Sequence, residues 1–231
     1  MVREIVFDTE TTGFDYDKGD RLVEIGAVEL IDHIQTGKIF HEYINPEREV
    51  PEDAVKVHGL TYDFLKEYPT FDKIADKWIE FVGDAKLVAH NAKFDINFVN
   101  YELKQLSKPE ISWDVVIDTL EIARNMFPGA RCSLDALCRR FEIDNSARTF
   151  HGALLDAQLL AEVYLELLGG KEPTLIFSGE KKKNNSENSV INNNSIKHNY
   201  REPRQFVYDE DWEENHKKFL EDNIKNAIWN A

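Results

Sequence analysis

Three things are scarce in this chain, and each scarcity excludes a class of protein. Cysteine occurs twice, at Cys132 and Cys138, in a helix-like stretch without metal-type spacing. Both read as free thiols in a reducing cytosol, not as staples of a secreted fold. No apolar run reaches the roughly 18 residues that a membrane-spanning helix needs. The start, MVREIVFDTE, goes straight into charged sequence and does not read as a secretory signal. Basic residues are also few: 28 Lys and Arg against 43 Asp and Glu, a net charge of −15. That balance argues against a broad basic face for gripping duplex nucleic acid. It leaves room for an enzyme acting on nucleic acid, because bound divalent cations can supply the positive charge a phosphodiester needs.

What is present is enough apolar residue for a real core, 42% of 231 residues, which suits one domain plus a tail. Residues 3–9 (REIVFDT), 21–31 (RLVEIGAVELI) and 38–44 (KIFHEYI) read as strands with short links, which suggests antiparallel pairing. Glu24 sits among the apolar residues of the second. The pattern then changes. Residues 71–82 and 94–106 carry apolar positions at helical spacing, separated by a short buried strand at 86–90 (KLVAH). A further strand at 115–119 (VVIDT) leads into the helical LEIARNMF, and Ser133 is placed to cap SLDALCRRF. Residues 153–168 (ALLDAQLLAEVYLELL) make the strongest helical pattern, closed by Gly169-Gly170. Strands paired locally and then alternating with helices predict an α/β fold on a mixed central sheet.

Beyond Gly170 the composition shifts. Seven asparagines fall between 184 and 199 with almost no apolar residues, so residues 179–203 are expected to be a disordered linker. Phe206, Tyr208, Trp212, Phe219 and Trp229 then return apolar surface in a stretch too short for its own core. A docking segment over 204–231 is the expectation.

The chemistry concentrates in acids. In VFDTETTG, Asp8 and Glu10 stand two apart on a strand and so project from one face. Two carboxylates that close call for a cation between them. Thr12-Gly13 then turns the chain and brings backbone near whatever the acids bind. His90-Asn91-Ala92-Lys93-Phe94-Asp95 joins a strand end to a helix start, where open sheets bind ligands. Taken alone, Asp95 also reads as a first-turn acid favoured by the helix dipole. His151 and Asp156 are five residues apart, about 500° on one helix and so on different faces. Gly152 resolves this if His151 lies in the loop before the helix and Asp156 in its first turns. Oxygen ligands suit Mg²⁺ or Mn²⁺, not zinc. Four acids exceed what one ion needs when substrate phosphate also contributes. Two ions about 3.5–4 Å apart would serve the attacking and leaving oxygens of phosphodiester hydrolysis, with His151 as general base for the water.

FDTETTG, HNAKFD and HGALLD, in this order over about residues 3–168, resemble the three motifs of the DEDDh branch of the DEDD 3′–5′ exonucleases. Within that branch the chain is most similar to the family of proofreading subunits of bacterial DNA polymerase III. The resemblance implies a ribonuclease H-like fold over residues 1–170. It implies metal ligation by Asp8, Glu10, Asp95 and Asp156, general-base catalysis by His151, and two Mg²⁺ or Mn²⁺ ions. PEDAVKVHGLT (51–61) resembles that family's substrate-contacting region. Substrate contacts are therefore expected at Glu10, Thr12, Asp53, His58 and Asp156. Glu172-Pro173-Thr174-Leu175-Ile176-Phe177, within 171–178, resembles a sliding-clamp motif with Leu175 and Phe177 as anchors and Glu172 where glutamine is usual. The implied partners are a single-stranded or frayed DNA 3′ end, the polymerase catalytic (alpha) subunit, the beta clamp and a small accessory subunit. The implied setting is the bacterial cytoplasm, with no membrane. The nearest rival is a DEDDh exoribonuclease of the ribonuclease T or oligoribonuclease type, which would have no need of the linker and aromatic tail. A non-catalytic clamp–polymerase adapter would show decay among the five site residues, and none is missing.

Overall fold

The computed structural model describes residues 1–146, 150–169 and 218. The clamp-type peptide with Leu175 and Phe177, the linker and, but for residue 218, the 204–231 segment lie outside the described residues. Among the described residues, five strands form a mixed sheet in the order β3-β2-β1-β4-β5. β1 (Arg3–Thr11), β2 (Leu22–Ile31) and β3 (Ile34–Tyr43) make the expected antiparallel meander. Asp32 and His33 close the β2–β3 turn with φ of 48° and 65°, the left-handed pair that a two-residue hairpin demands. β4 (Lys86–Ala89) and β5 (Val116–Asp118) run parallel to β1, and their carboxyl ends share one end of the sheet with Asp8 and Glu10.

The chain connects these strands through α1 (Glu52–His58), α2 (Tyr62–Leu65), α3 (Phe71–Val82) and α4 (Lys93–Gln105). After β5 come α5 (Thr119–Met126), α6 (Leu134–Arg140) and α7 (Ala153–Leu167). The helices at 71–82, 93–105 and 153–167 stand where the periodicity places them, and Ser133 caps α6 by accepting from Ala136 N at 3.3 Å. α1 and α2 have no counterpart in the apolar pattern. α1 buries only His58, so it leaves no 3.6-residue hydrophobic signal.

Strand alternation sorts the core into two layers. Ile5 and Phe7 of β1 pack with Trp78 of α3 and Phe98 of α4, all buried. Trp78 lies 5.5 Å from Phe7 and 5.2 Å from Phe40, ring centroid to centroid. Val6 faces the other way, onto Leu160, Ala161 and Tyr164 of α7. Asp8 and Glu10 continue the Val6 face, toward α7. One close approach sets α7 in place. Gly26, the β2 partner of Asp8, lies so near the helix start that a Cβ there would meet Leu154 N at 2.1 Å and Ala153 C at 2.3 Å. Only a residue without a side chain lets α7 settle on β2 directly beside Asp8.

Candidate active site

β1 delivers the first two acids. Glu10 is buried, Asp8 less so, and Glu10 stands directly across from Glu24 of β2. Two buried carboxylates on facing positions repel unless something positive intervenes. Glu24 has its own partner in His41, Nε2 to Oε1 at 2.7 Å. Three further buried acids, Glu102, Glu29 and Glu4, are structural and have basic or hydroxyl partners. Glu102 forms a two-point pair with Arg21 at 2.6 and 2.8 Å. Glu29 is held by Arg3 and Thr36, and Glu4 by Tyr164 and His33.

α7 supplies the third acid. Asp156 lies in its first turn, where the helix dipole favours a carboxylate, and is buried. His151 sits in the extended stretch before the helix, with Gly152 as N-cap at φ −142° and ψ 126°. The offset that separates the two on a single helix is thereby removed. His151 Nδ1 lies 3.3 Å from Asp156 Oδ2, and the ring is 48% exposed. Donor atoms of Glu10, His151 and Asp156 all lie within 4.8 Å of one another. That spacing and the two carboxylates fit a hard divalent cation such as Mg²⁺ or Mn²⁺. The buried acids suit the cation, and the imidazole beside them is half-exposed to solvent.

Asp8 and Asp95 stand outside this trio of donor atoms. Asp95 comes from the first turn of α4, on the layer opposite to α7. Its Oδ1 accepts from Thr9 N at 3.1 Å and Thr9 Oγ1 at 2.7 Å, which ties α4 to β1 between Asp8 and Glu10. Burial pushes its carboxyl up to about 7, while the Thr9 bonds pull it down and the nearby Asp118 charge adds to the rise. A residue not singled out by motif holds this corner together. Asp118, at the end of β5, accepts from Asn91 N (3.0 Å), Ala92 N (3.2 Å) and Leu120 N (2.9 Å). It fixes the turn that leads into α4 and caps α5 at once. The only sequence signal was an acid at a strand end ahead of a helix.

Beside the acids lies a cleft of about 530 Å³. Its walls are the Thr9–Phe14 stretch, Asp53, Val57 and His58 of α1, and Phe94 of α4. Four residues expected to touch substrate, Glu10, Thr12, Asp53 and His58, line it together. Asp156 is not among its lining residues. Thr12 Oγ1 donates to Asp20 Oδ1 at 3.2 Å and accepts from Arg21 N at 3.0 Å, which holds the turn after β1. Asp53 is at the exposed rim, paired with Lys56 at 3.0 Å. His58 is buried. Its Nδ1 accepts from Leu60 N at 3.0 Å, so the neutral ring carries its proton on Nε2. Burial pushes its pKa down, and the backbone of Thr11 pulls it the other way.

A mixed sheet of this order, acidic at the carboxyl end of its central strand and covered there by a helix bearing another acid, is the frame of the ribonuclease H-like, metal-dependent exonucleases. An exonuclease family model of the RNase T type matches residues 5–164. Among curated relatives, the DNA polymerase III subunit epsilon of Rickettsia felis is 47% identical over 98% of this chain and 99% of its own length. That of Escherichia coli K12 is 50% identical over 74% of this chain and 73% of its own. Exonuclease X, solved in complex with 5′-overhanging duplex DNA, is 26% identical with a TM-score of 0.56, covering 73% of this chain and 91% of that one. The nuclease domain of 3′hExo, a DEDDh family member bound to rAMP, shares the fold at a TM-score of 0.63 and 18% identity, covering 72% and 91%. The chain belongs to the exonuclease family and, within it, to the DNA polymerase III epsilon subunits.

Proposed function

We propose that this chain is the proofreading exonuclease of a bacterial DNA polymerase III, removing mispaired nucleotides from DNA 3′ ends. The observation that carries this reading is the convergence of Glu10, His151 and Asp156 within 4.8 Å. The adjoining cleft and the near full-length similarity to epsilon subunits support it.

Asp8, Glu10, Asp95 and Asp156 would hold two Mg²⁺ or Mn²⁺ ions, which supply Lewis acidity to the attacking and leaving oxygens. The residues of the chain do the rest. Phe14, Val57 and Phe94 offer apolar surface to the base and sugar of the terminal nucleotide. Thr12 and His58 offer polar atoms, with the Nε2 proton of His58 available as a donor. Asp53 guards the rim. His151 removes a proton from the attacking water, and Asp156 beside Nδ1 favours the tautomer in which Nε2 is the basic nitrogen. The water oxygen bonds to phosphorus, the bond to the 3′ oxygen breaks, and that oxygen takes up a proton from solvent. The products are a nucleoside 5′-monophosphate and a DNA strand one residue shorter. Leu175 and Phe177 would contact the beta clamp and residues 204–231 the alpha subunit, in the bacterial cytoplasm. A small accessory subunit would complete the assembly.

The test uses end-labelled primers, matched and mismatched DNA and RNA, with Mg²⁺, with and without a polymerase III catalytic subunit. Faster trimming of mismatched DNA, raised further by the polymerase, is expected. Selective trimming of RNA would overturn the proposal.

A further inference from the structure

We propose that Phe150 is a positioning residue for the general base: its ring, resting on Gly59, locks the His151 backbone to the helix that walls the nucleotide cleft. The proposal rests on the assignment of His151 as general base. On its C-terminal side His151 is followed by Gly152, an extended residue whose missing Cβ would meet nothing within 4 Å. No side chain at 152 can therefore aim the histidine. Asp156 meets the ring at Nδ1, and on the N-terminal side two contacts tie the backbone that carries it to α1. His151 N donates to Val57 O at 3.1 Å. Gly59, the left-handed cap of α1 at φ +77°, presents its bare face to Phe150, and a Cβ built there would sit 3.4 to 3.6 Å from Cγ, Cδ1 and Cδ2 of the ring. The ring is laid across the place where any other residue carries a side chain. Phe150 is otherwise 56% exposed, so the contact with Gly59 is not part of the core.

The same turn of α1 contributes Val57 and His58 to the cleft. One short unit thus carries the wall against which the terminal nucleotide is seated and the seat of the base that activates water. Displacement of a catalytic group by an ångström costs up to about a hundredfold in rate, so loss of the ring should act on turnover. A nucleotide seated against Val57 and His58 would also steady His151 through this contact.

Phe150→Ala, Phe150→Leu, His151→Ala and the Phe150→Ala/His151→Ala double variant of the full chain test this. The assay is Mg²⁺-dependent release of nucleotide from a single-stranded DNA oligomer, with melting temperatures measured alongside. Phe150→Ala should lower kcat roughly tenfold with KM and melting little changed, and Phe150→Leu should recover most of it. In the His151→Ala background, Phe150→Ala should produce no further loss, because a residue acting through the histidine has nothing left to position. Parental kcat in Phe150→Ala overturns the proposal, and so does a loss that persists in the His151→Ala background or appears in KM alone. If Phe150→Ala melts lower, Phe150→Leu decides: recovered stability without recovered kcat contradicts the proposal. Parental turnover in His151→Ala would instead bring down the general-base assignment itself, and this inference with it.

Discussion

At the scale of single residues, the partners of the buried acids separate those proposed for chemistry from those that hold the fold. Glu102, Glu29, Glu4 and Glu24 lie beside Arg21, Arg3, Tyr164 and His41 respectively. Glu10 and Asp156 are buried with an imidazole within a cation's reach of both. Replacing His151 with Ala should lower kcat by about 10²–10⁴, the range typical of a lost general base, and leave melting unchanged. A rate within twofold of the parent would refute the role. Asp95 gives a sharper electrostatic test. Its carboxyl titrates near 7 in the fold against 3.8 in the unfolded chain, so between those values the folded state holds a proton that the unfolded state has lost. Its contribution is fully present below pH 4 and is lost as pH rises through 7. In EDTA at pH 8, Asp95→Asn should therefore melt above the parent, and the gap should close toward pH 5. Melting below the parent at pH 8 would show the buried charge to be well compensated without metal.

At the scale of elements, the legible parts were those whose signal is local. α7 buries nine of its fifteen residues and announces itself by periodicity alone. VFDTETTG, HNAKFD and HGALLD were readable because each residue proposed for catalysis or metal binding sits within a few positions of a strand end or helix start. α1 was not legible, since its one buried residue is His58, and it folds as a helix to wall a cleft instead of covering a core. Asp118 and Phe150 escaped for a related reason. What they hold, the Asn91-Ala92 turn and Gly59, is tens of residues away in the chain. Gly26 was invisible too, because nothing in EIGAVE says that a helix more than a hundred residues later lies on it. Gly26→Ala would drive α7 off β1 or strain β2. A loss of roughly 1–3 kcal/mol in stability is expected from such overpacking, together with a fall in turnover as Asp156 shifts. Chemical denaturation beside an activity assay reads both, and parental values in both would contradict the packing.

At the scale of the whole molecule, the strong negative charge and the need for cations are two sides of one design. The protein approaches a polyanion with few basic residues and relies on ions at the carboxyl end of its sheet. Mg²⁺ should raise the melting temperature of the parent, since it binds the folded state alone, and should do so far less in Asp156→Asn. Acid should weaken the fold by a separate route. Burial depresses the pKa of both His58 and His90, so each favours the neutral ring in the fold. Their stabilisation is present above the unfolded value of about 6.5 and is lost as pH falls through their lower folded values. The most direct test of a metal-dependent 3′–5′ exonuclease remains a time course on single-stranded DNA labelled at its 5′ end, with Mg²⁺ or EDTA, for the parent and Asp156→Asn. A ladder that shortens stepwise from the 3′ end, only with Mg²⁺ and only in the parent, is expected. Immediate release of the 5′ label, internal cuts, or equal activity in EDTA would contradict it.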